Sequence, residues 1–327
     1  MNTINKIGLF TSGGDSPGMN ACIRAVVRAS VANNIEVKGI LRGYQGMIDD
    51  DFITLNSRSV SNIVQRGGTI LRTARCQAFL TKEGMQKAWE NLKKHKVDAL
   101  VAIGGDGTFR GAIEFSNIYN DISIIGIPGT IDNDTFGTDF TLGFDTAVNT
   151  VIEAVDKIRD TADSHHRLFF IEVMGRKSGW IALYSALAAG AEAVLLPERL
   201  DSIDKLITNL QSAKKHGKQS SIVIVAEGEE LGSTIEIARK VKERFDYYDI
   251  RITVLGHVQR GGSPTCSDRV LGGRLGVRAV EALIEGESLK MVGVINGEIK
   301  LTLFSDAVSK APPFNSDLIR IADIISK

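Results

Sequence analysis

Short apolar runs rich in isoleucine and valine alternate along the chain with segments in which apolar residues recur at helical spacing. This alternation is typical of an α/β protein, in which helices cover the faces of a parallel sheet. The pattern predicts strands at residues 7–11, 37–41, 99–103, 123–127, 168–173, 222–226, 252–255 and 292–295.

Three of the segments between these strands carry an apolar stripe that would pack on a sheet. The stripes are Met85, Ala88, Trp89 and Leu92; Val148, Val151, Ile152, Val155 and Ile158; and Val270, Leu271, Leu275, Ala279 and Leu283. A short C-terminal helix is also expected after the break at residues 311–313, which read Ala-Pro-Pro.

The chain has 327 residues, about twice the length of a typical domain, which indicates two domains or one large α/β unit. Its 39 Lys and Arg balance 39 Asp and Glu, so the formal net charge is zero. This balance argues against a nonspecific nucleic-acid or membrane-surface binder, because such proteins need a net positive field. A few local arginines could still bind a small anionic substrate.

Cysteine usage and hydropathy indicate the compartment. Cys22, Cys76 and Cys266 have neither zinc-site spacing nor the pattern of a disulfide framework, which favours a reducing environment. The apolar stretch near the N-terminus is too short for a signal peptide. The longest uncharged segment, residues 178–191, is shorter than the ~20 residues that cross a bilayer. We therefore expect a soluble, cytoplasmic protein.

Two glycine-rich loops follow predicted strands and precede helix patterns. They are residues 11–20, TSGGDSPGMN, and residues 103–108, IGGDGT. Glycines let backbone N–H groups approach a phosphate, although a tight turn would explain the first loop equally well. Asp106 is either a Mg²⁺ ligand beside a polyphosphate or a helix cap. The P-loop and dinucleotide-binding glycine motifs are absent, which disfavours those enzyme classes.

A third loop, residues 128–134, reads PGTIDND and offers two carboxylates. Asp132 and Asp134 are two residues apart, so in extended backbone both would point to one side. Such a pair could deprotonate a substrate hydroxyl close to a metal-bound phosphate. The same composition is also common in turns.

Cations recur at the predicted strand ends. They are Arg167, Arg176, Arg251, His257 and Arg260. Guanidinium groups match phosphate oxygens, so this set favours a phosphorylated substrate and a clamp for the transition state. The remaining histidines are interpreted as structural, with His165 and His166 in a surface turn and His95 and His216 interacting with helix ends.

In combination, five motifs make the chain resemble the bacterial ATP-dependent 6-phosphofructokinases nearly from end to end. They are TSGGD at 11–15, GGDG at 104–107, PGTIDND at 128–134, MGR at 174–176 and GHVQRGG at 256–262. GGDG alone is not decisive, because NAD kinases and lipid kinases carry similar loops.

The resemblance implies transfer of the ATP γ-phosphoryl group to the C1 hydroxyl of fructose 6-phosphate. It also implies two doubly wound, Rossmann-like α/β domains with mostly parallel sheets and the active site in the cleft between them. The larger, ATP-binding domain would comprise residues 1–142 and 258–308. The smaller, sugar-phosphate-binding domain would comprise residues 143–257 and 309–327.

The resemblance also assigns roles to single residues. Catalysis falls to Asp132, with Asp134 beside it, and to Thr130 and Arg176 around the moving phosphoryl group. The ATP site comprises Gly14, Arg75, Cys76, Gly105, Gly107 and Thr108, with Asp106 as the Mg²⁺ contact. Sugar-phosphate contacts fall on Thr130, Ile131, Asp132, Met174, Gly175, Arg176, Glu227, Val258, Gln259 and Arg260. The 6-phosphate would be bound by His257, and by Arg167 and Arg251 from a neighbouring subunit of a homotetramer.

Bacterial members of this family have an effector site for ADP or phosphoenolpyruvate. Arg24, Arg28, Arg159, Gly190, Glu192 and Lys218 match its pattern. Ser57, Asn62, His216 and Ser220 depart from it. Because these departures remove cationic and polar contacts, we expect weakened phosphate binding at this site.

Two alternatives stay open at this point. Related pyrophosphate-dependent enzymes usually carry Asp and Lys where Gly107 and Gly129 stand, so the two glycines favour ATP as the donor. A sugar-phosphate sensor on the same fold would need no base, and it is disfavoured by the joint presence of four residues, Asp106, Asp132, Asp134 and Arg176.

Overall fold

A computed structural model describes residues 4–199 and 201–326. The described residues divide into two compact units. Unit 1 comprises the described residues of Met1–Ile131, Thr135–Thr146 and Arg260–Pro312. Unit 2 comprises Asp132–Asp134 and the described residues of Ala147–Gln259 and Pro313–Lys327.

Unit 1 is built on one seven-stranded sheet. Its strands are β1 (Lys6–Thr11), β2 (Glu36–Ile40), β3 (Phe52–Leu55), β4 (Ala99–Gly104), β5 (Ser123–Pro128), β10 (Lys290–Ile295) and β11 (Glu298–Leu303). Their order is β11-β10-β5-β4-β1-β2-β3, and only the two edge strands run antiparallel to their neighbours. Alternate side chains of β1 enter two apolar clusters, Leu9 on one face and Phe10 on the other. The sheet is therefore buried on both faces, as a parallel sheet requires.

Helices cover both faces of this sheet. They are α1 (Met19–Ala32), α2 (Tyr44–Ile48), α3 (Lys82–Lys94), α4 (Asp106–Ile118), α9 (Cys266–Ile284) and α10 (Phe304–Ser309), with a 3-10 turn at Ala78–Leu80. Helices α1 and α9 pack closely because Gly276 presents no side chain. A Cβ there would lie 2.7 Å from the Cβ of Ala25.

Unit 2 contains a four-stranded parallel sheet. Its strands are β6 (Arg167–Val173), β7 (Ala193–Leu195), β8 (Ser221–Ala226) and β9 (Asp249–Val254). Their order is β7-β8-β6-β9, so β9 is an edge strand. The helices are α5 (Phe144–Asp163), α6 (Trp180–Ala189), α7 (Ile203–Lys215), α8 (Thr234–Arg244) and α11 (Ser316–Ile325). A 3-10 turn at Gly256–Arg260 follows β9. Helix α5 begins in unit 1 and continues into unit 2.

The α/β class and its mostly parallel sheets are confirmed, as are all eight predicted strands and the C-terminal helix. Strands β3, β7 and β11 were not predicted. Strands β3 and β11 are half exposed and β7 has only three residues, so none of them has the long, continuously buried apolar run of a central strand. The expected stripe on α9 is wrong at Val270, which is 55% exposed, whereas Leu275, Ala279 and Leu283 are buried.

Within the part of the chain that the structure describes, no helix combines the length and apolar character needed to span a membrane.

A buried carboxylate organises the start of α5 in unit 1. Asp268 is 1% exposed and accepts hydrogen bonds from the backbone N–H of Gly143 at 2.7 Å and of Thr146 at 2.9 Å. The Thr146 hydroxyl donates to the same carboxylate. These bonds satisfy N–H groups that a helix start leaves unpaired. Asp268 itself lies in the first turn of α9, so one side chain ties two helix starts together.

We expect Asp268→Ala to lower the free energy of unfolding by about 2–4 kcal/mol, because two buried N–H groups would lose their acceptor. Urea unfolding followed by circular dichroism measures this difference. The control is Asp317→Ala, which removes an exposed ion pair with Arg320 and should change stability by less than about 0.5 kcal/mol. Equal midpoints for the two variants would contradict the structural role of Asp268.

Candidate active site

The order of the strands in unit 1 places two loops at a topological switch point. The chain leaves β1 towards β2 and leaves β4 towards β5, on opposite sides, while β1 and β4 pair directly. Ligands of open α/β sheets bind at such points, outside the carboxyl ends of the strands. Ser12 N–H donates to Ile103 O at 3.0 Å, and Gly129 N–H donates to Gly104 O at 3.0 Å. All three predicted loops therefore meet at one edge of the sheet.

Neighbouring atoms approach two glycines of these loops closely, with backbone involved at Gly104 and the Arg260 side chain at Gly14. A Cβ on Gly104 would lie 2.3 Å from Thr108 Oγ1 and 2.5 Å from Ser12 O. A Cβ on Gly14 would lie 2.5 Å from Arg260 Nη1. Gly107, in contrast, has no atom within 4 Å of the Cβ position, so open space adjoins the start of α4. This arrangement fits a cradle for phosphate at a helix N-terminus.

Asp106 begins α4 and is not its cap. The N-cap position is Gly105, which has no side chain, and the Asp106 carboxylate is 46% exposed. Among the described residues, no group of three or more His, Cys, Asp or Glu could hold a metal ion by itself. Mg²⁺ commonly binds through one or two carboxylates together with substrate phosphates. The single exposed carboxylate in a glycine loop fits an ion that arrives with a nucleotide.

The segment that contains Arg75 and Cys76 is tied to the first glycine loop. Thr73 Oγ1 donates to Gly13 O at 2.6 Å. Arg75 is exposed, and half-buried Cys76 packs against an apolar cluster of unit 1, where burial raises the pKa of its thiol. Thr108 is buried at the start of α4. The predicted nucleotide residues are thus neighbours of one edge of the unit 1 sheet.

The loop that contains the candidate base differs from its expected geometry. Asn133 has a φ of +50°, so the backbone between Asp132 and Asp134 is not extended. Asp132 is 2% exposed and Asp134 is exposed, and the expectation of extended backbone, from which a shared direction of the two carboxylates was predicted, is wrong. A residue in the left-handed region turns the chain and breaks the two-residue alternation of a strand.

Two residues of the loop after β6 contact Asp132. Arg176 Nε lies 3.8 Å from Asp132 Oδ2, and Ser178 Oγ donates to the carbonyl of Asp132 at 2.7 Å. Ser178 was not predicted from the sequence. Its position two residues after the MGR motif and two residues before α6 is the only signal that could have indicated it.

The carboxyl ends of β6, β8 and β9 meet in unit 2. The backbone N–H of Arg176 donates to Glu227 Oε2 at 3.2 Å, and that of Met174 donates to Gln259 Oε1 at 3.2 Å. Gly175 has a φ of +142°, and a Cβ there would lie 2.3 Å from Ser178 O. The turn after β6 therefore requires glycine at this position.

The residues that follow β9 divide between solvent and interior. His257 and Val258 are exposed, whereas Gln259 is fully buried and its Nε2 donates to Gly256 O at 2.9 Å. Both ends of the Gln259 amide are therefore engaged by backbone within unit 2. This bonding favours a role for Gln259 in holding the loop after β6.

Ile131, a predicted contact of the sugar phosphate in the loop after β5, is fully buried in unit 1.

Arg260 and Thr130 belong to unit 1. Arg260 Nη1 donates to Asp15 O at 3.1 Å and lies over Gly14. The carbonyl of Thr130 accepts a hydrogen bond from Thr141 Oγ1 at 2.6 Å. Both residues are thus held by loops at the carboxyl edge of the unit 1 sheet.

Arg167 and Arg251 lie away from the carboxyl ends of the unit 2 strands. Arg167 begins β6, and Arg251 is the third residue of β9 and does not precede the strand as expected. Both contact Asp249, at 3.5 Å and 2.7 Å. Six residues of strand separate Arg167 from Val173, a distance of about 20 Å. Arg167 and Arg251 therefore form a separate group from Arg176 and His257, which follow the carboxyl ends of the unit 2 strands.

The predicted effector residues are also divided. Arg24 and Arg28 lie on α1 in unit 1, where Ser57 and Asn62 are exposed in the segment after β3. In unit 2, a cavity of about 510 Å³ is lined by Arg159, Asp163, Gly190, Glu192, Lys218, Gln219 and Ser220.

Carboxylates balance the cations of this unit 2 cavity. Lys218 Nζ contacts Glu192 at 3.2 Å, Arg159 donates to the carbonyl of Ala189 at 2.5 Å, and Ser220 donates to Asp163. Asp163 was not predicted from the sequence.

The other four histidines were interpreted as structural residues in a surface turn or at helix ends. His165 and His166 are exposed, and His216 Nδ1 lies 2.8 Å from the carbonyl of Ser212 near the end of α7. His95 lies at the C-cap of α3, as expected, and its side chain makes contacts that were not predicted. Its Nε2 lies 2.6 Å from Asp50 Oδ1, and its ring stacks on Phe52.

Comparison with known proteins decides the family. The sequence profile of the family described as Phosphofructokinase matches residues 6–283. The chain belongs to this family. Among its relatives, the ATP-dependent 6-phosphofructokinase 2 of Bacteroides thetaiotaomicron is 50% identical over the full length of both chains. The ATP-dependent 6-phosphofructokinase of Cytophaga hutchinsonii is 52% identical and covers 98% of this chain and 97% of its own.

Solved phosphofructokinases have the same fold. The structure of phosphofructokinase from Saccharomyces cerevisiae is 35% identical, with a TM-score of 0.87 over 93% of this chain. This chain spans 45% of the length of that yeast chain. A pyrophosphate-dependent phosphofructokinase from Marinobacter aquaeolei is 22% identical, covers 95% of this chain and 86% of its own, and has a TM-score of 0.84. At that identity the likeness shows the fold alone.

Proposed function

We propose that this phosphofructokinase transfers the γ-phosphoryl group of ATP to the C1 hydroxyl of fructose 6-phosphate, giving fructose 1,6-bisphosphate and ADP in glycolysis. The names of relatives about 50% identical along the whole chain support this reaction. The observation that carries the mechanism is the approach of Arg176 to the buried carboxylate of Asp132, 3.8 Å apart. A base beside a guanidinium is what phosphoryl transfer to an alcohol needs.

We assign nucleotide binding to the carboxyl edge of the unit 1 sheet. Close backbone approach and the open space at Gly107 support binding of phosphates there. The residues are Gly14, Arg75, Cys76, Gly105, Gly107 and Thr108. Asp106 would hold Mg²⁺, which when bound neutralises charge on the transferred phosphoryl group.

We assign the chemistry to the loops after β5 and β6. Asp132 removes the proton of the C1 hydroxyl, and Asp134 lies on the same loop. Arg176 and Thr130 donate hydrogen bonds to the moving phosphoryl group. Ser178, through the carbonyl of Asp132, limits movement of the base, and positioning of this kind accounts for much of the rate of phosphoryl transfer.

We assign sugar-phosphate binding chiefly to the carboxyl edge of the unit 2 sheet. Glu227 holds the turn that carries Arg176, and Met174, Gly175, His257 and Val258 adjoin it. Arg260, Ile131 and Gln259 complete the predicted set. The location of the active site in a cleft between the units stays a prediction, as do the domain boundaries.

We further propose a homotetramer in which Arg167 and Arg251 serve a neighbouring subunit. Arg167 lies about 20 Å along β6 from the carboxyl edge, and Arg251 lies about 10 Å along β9 from it. Their position supports this assembly, since a phosphate bound by the same chain's His257 would lie beyond that edge. The edge strand β9 also exposes Ile252 and Val254, which favours burial against another chain. Effector control by ADP or phosphoenolpyruvate stays a prediction.

We expect Asp132→Ser to lower kcat by about 10²-fold or more while leaving KM for both substrates within a few-fold, because only the base is removed. A coupled assay with ATP and fructose 6-phosphate measures both constants. Asp246→Ser, a change at an exposed aspartate of unit 2, is the control and should match the parent enzyme. Full turnover in Asp132→Ser would exclude this residue as the base.

We expect the parent enzyme to use ATP and not pyrophosphate as the phosphoryl donor. We expect the Gly107→Asp variant to lose its activity with ATP. The open space at Gly107 admits the new side chain without strain, and its charge would repel the nucleotide phosphates. Gly273→Asp, at another uncrowded helical glycine, is the control. Initial rates with each donor, and thermal unfolding of each variant, measure the outcome. Efficient use of pyrophosphate by the parent enzyme would refute the donor assignment.

We expect Arg251→Ser to raise KM for fructose 6-phosphate by about tenfold or more with little change in kcat, because a charged hydrogen bond to the 6-phosphate is lost. Arg239→Ser, which removes an exposed pair with Glu243, is the matched control. Sedimentation of both variants tests whether the assembly persists. An unchanged KM in an intact tetramer would rule out this role for Arg251.

A further inference from the structure

The candidate magnesium contact already has a counter-ion in this chain. Arg110 lies one helical turn after Asp106 on α4. Its Nε and Nη2 both approach Asp106 Oδ2, at 3.2 Å and 3.0 Å. Residues four apart on a helix are neighbours, so the pair follows from the sequence spacing together with the start of α4 at Asp106.

A second contact fixes the direction of the Arg110 side chain. Its Nη2 also donates to the carbonyl of Val308 in α10. Helix α10 is held against α4 by the stacked rings of Phe109 and Phe304, whose centroids are 4.8 Å apart. The guanidinium therefore bridges Asp106 and the end of a packed helix. Such a bridge is more ordered than an isolated surface ion pair.

This bridge and a metal ion would compete for the same carboxylate. Oδ2 of Asp106 accepts both N–H groups of Arg110, and the guanidinium charge repels a divalent cation at short range. Asp106 and Arg110 are 46% and 58% exposed, and exposed ion pairs are weak. Arg110 would therefore reduce metal affinity by a modest factor without blocking the site.

We propose that Arg110 is a positioning residue that sets the affinity of this enzyme for magnesium by occupying the Asp106 carboxylate until the metal and nucleotide displace it. The proposal rests on the proposed function, in which Asp106 contacts the metal. The positive charge of Arg110 has the opposite effect on metal-free nucleotide, because it attracts the phosphates. Its removal should therefore favour the metal complex of ATP over ATP alone.

The test measures nucleotide binding without turnover. ATP is titrated into the full-length enzyme by calorimetry, once with EDTA and once with saturating MgCl2, in the absence of sugar phosphate. The ratio of the two dissociation constants, metal-free over metal-bound, is compared between the parent enzyme and Arg110→Gln. We expect the ratio to rise about threefold to fivefold in the variant, the range set by the modest coupling of exposed charges. Thermal unfolding establishes that each variant is folded.

Two controls isolate the effect. Arg274→Gln removes another helical arginine of unit 1 that also donates to a backbone carbonyl, that of Gly297 at 2.7 Å, and it should leave the ratio unchanged. In an Asp106→Asn background, Arg110→Gln should raise the ratio clearly less than it does in the parent enzyme, because the contact between the two side chains is already lost and only the attraction of Arg110 for the phosphates remains.

The possible failures are distinguishable. A parent enzyme that does not bind ATP would overturn the proposed function and this inference together. If the parent enzyme binds ATP with magnesium and Arg110→Gln leaves the ratio unchanged, the inference alone is wrong. Equal weakening of both forms would also overturn it and would place Arg110 against the phosphates.

Discussion

The direct pairing of β1 with β4 is the constraint on which the candidate nucleotide site depends. Just after the paired residues of β1 and β4, the N–H of Ser12 donates a hydrogen bond to Ile103 O. The N–H of Gly129 donates to Gly104 O at the same edge of the sheet. The backbones are then so close that Gly104 has no room for a side chain. Helix α4 begins two residues after Gly104, with Asp106 in its first turn. A phosphate cradle results from strand order as much as from glycine content.

In unit 1 the loops of the candidate site are held by hydrogen bonds between backbone groups. In unit 2 they are held by hydrogen bonds between polar side chains and the backbone. Glu227 and Gln259 accept hydrogen bonds from the backbone of the turn after β6, and Ser178 of that turn donates to the carbonyl of Asp132. Gln259 and Ser178 are buried, so breaking either of their bonds would leave a buried polar group without a partner, which limits the movement of this turn. The position of Arg176 relative to Asp132 is therefore set by several side chains that need not touch a substrate.

Much of the site could be predicted because strand ends are visible in the sequence. Buried strands such as β4 and β5 are continuous apolar runs, so the loops after them, with Asp106 and Asp132, could be predicted, whereas Glu227 after β8 was assigned only through the family resemblance. Edge strands lack this signal, and β3 and β11 were missed for that reason. The extended backbone expected between Asp132 and Asp134 was wrong because Asn133 adopts a left-handed conformation, which the local sequence pattern did not indicate.

The sequence by itself determined the α/β class, the loops that carry chemistry and the family motifs, because each depends on residues close together along the chain. Only the tertiary structure decided which distant side chains meet: Ser178 with the carbonyl of Asp132, Arg110 with the carbonyl of Val308, and Arg167 and Arg251 with Asp249. Such contacts depend on strand order and on the direction of each turn. Local sequence patterns leave both undetermined, because packing of the whole unit selects among several arrangements of similar local energy.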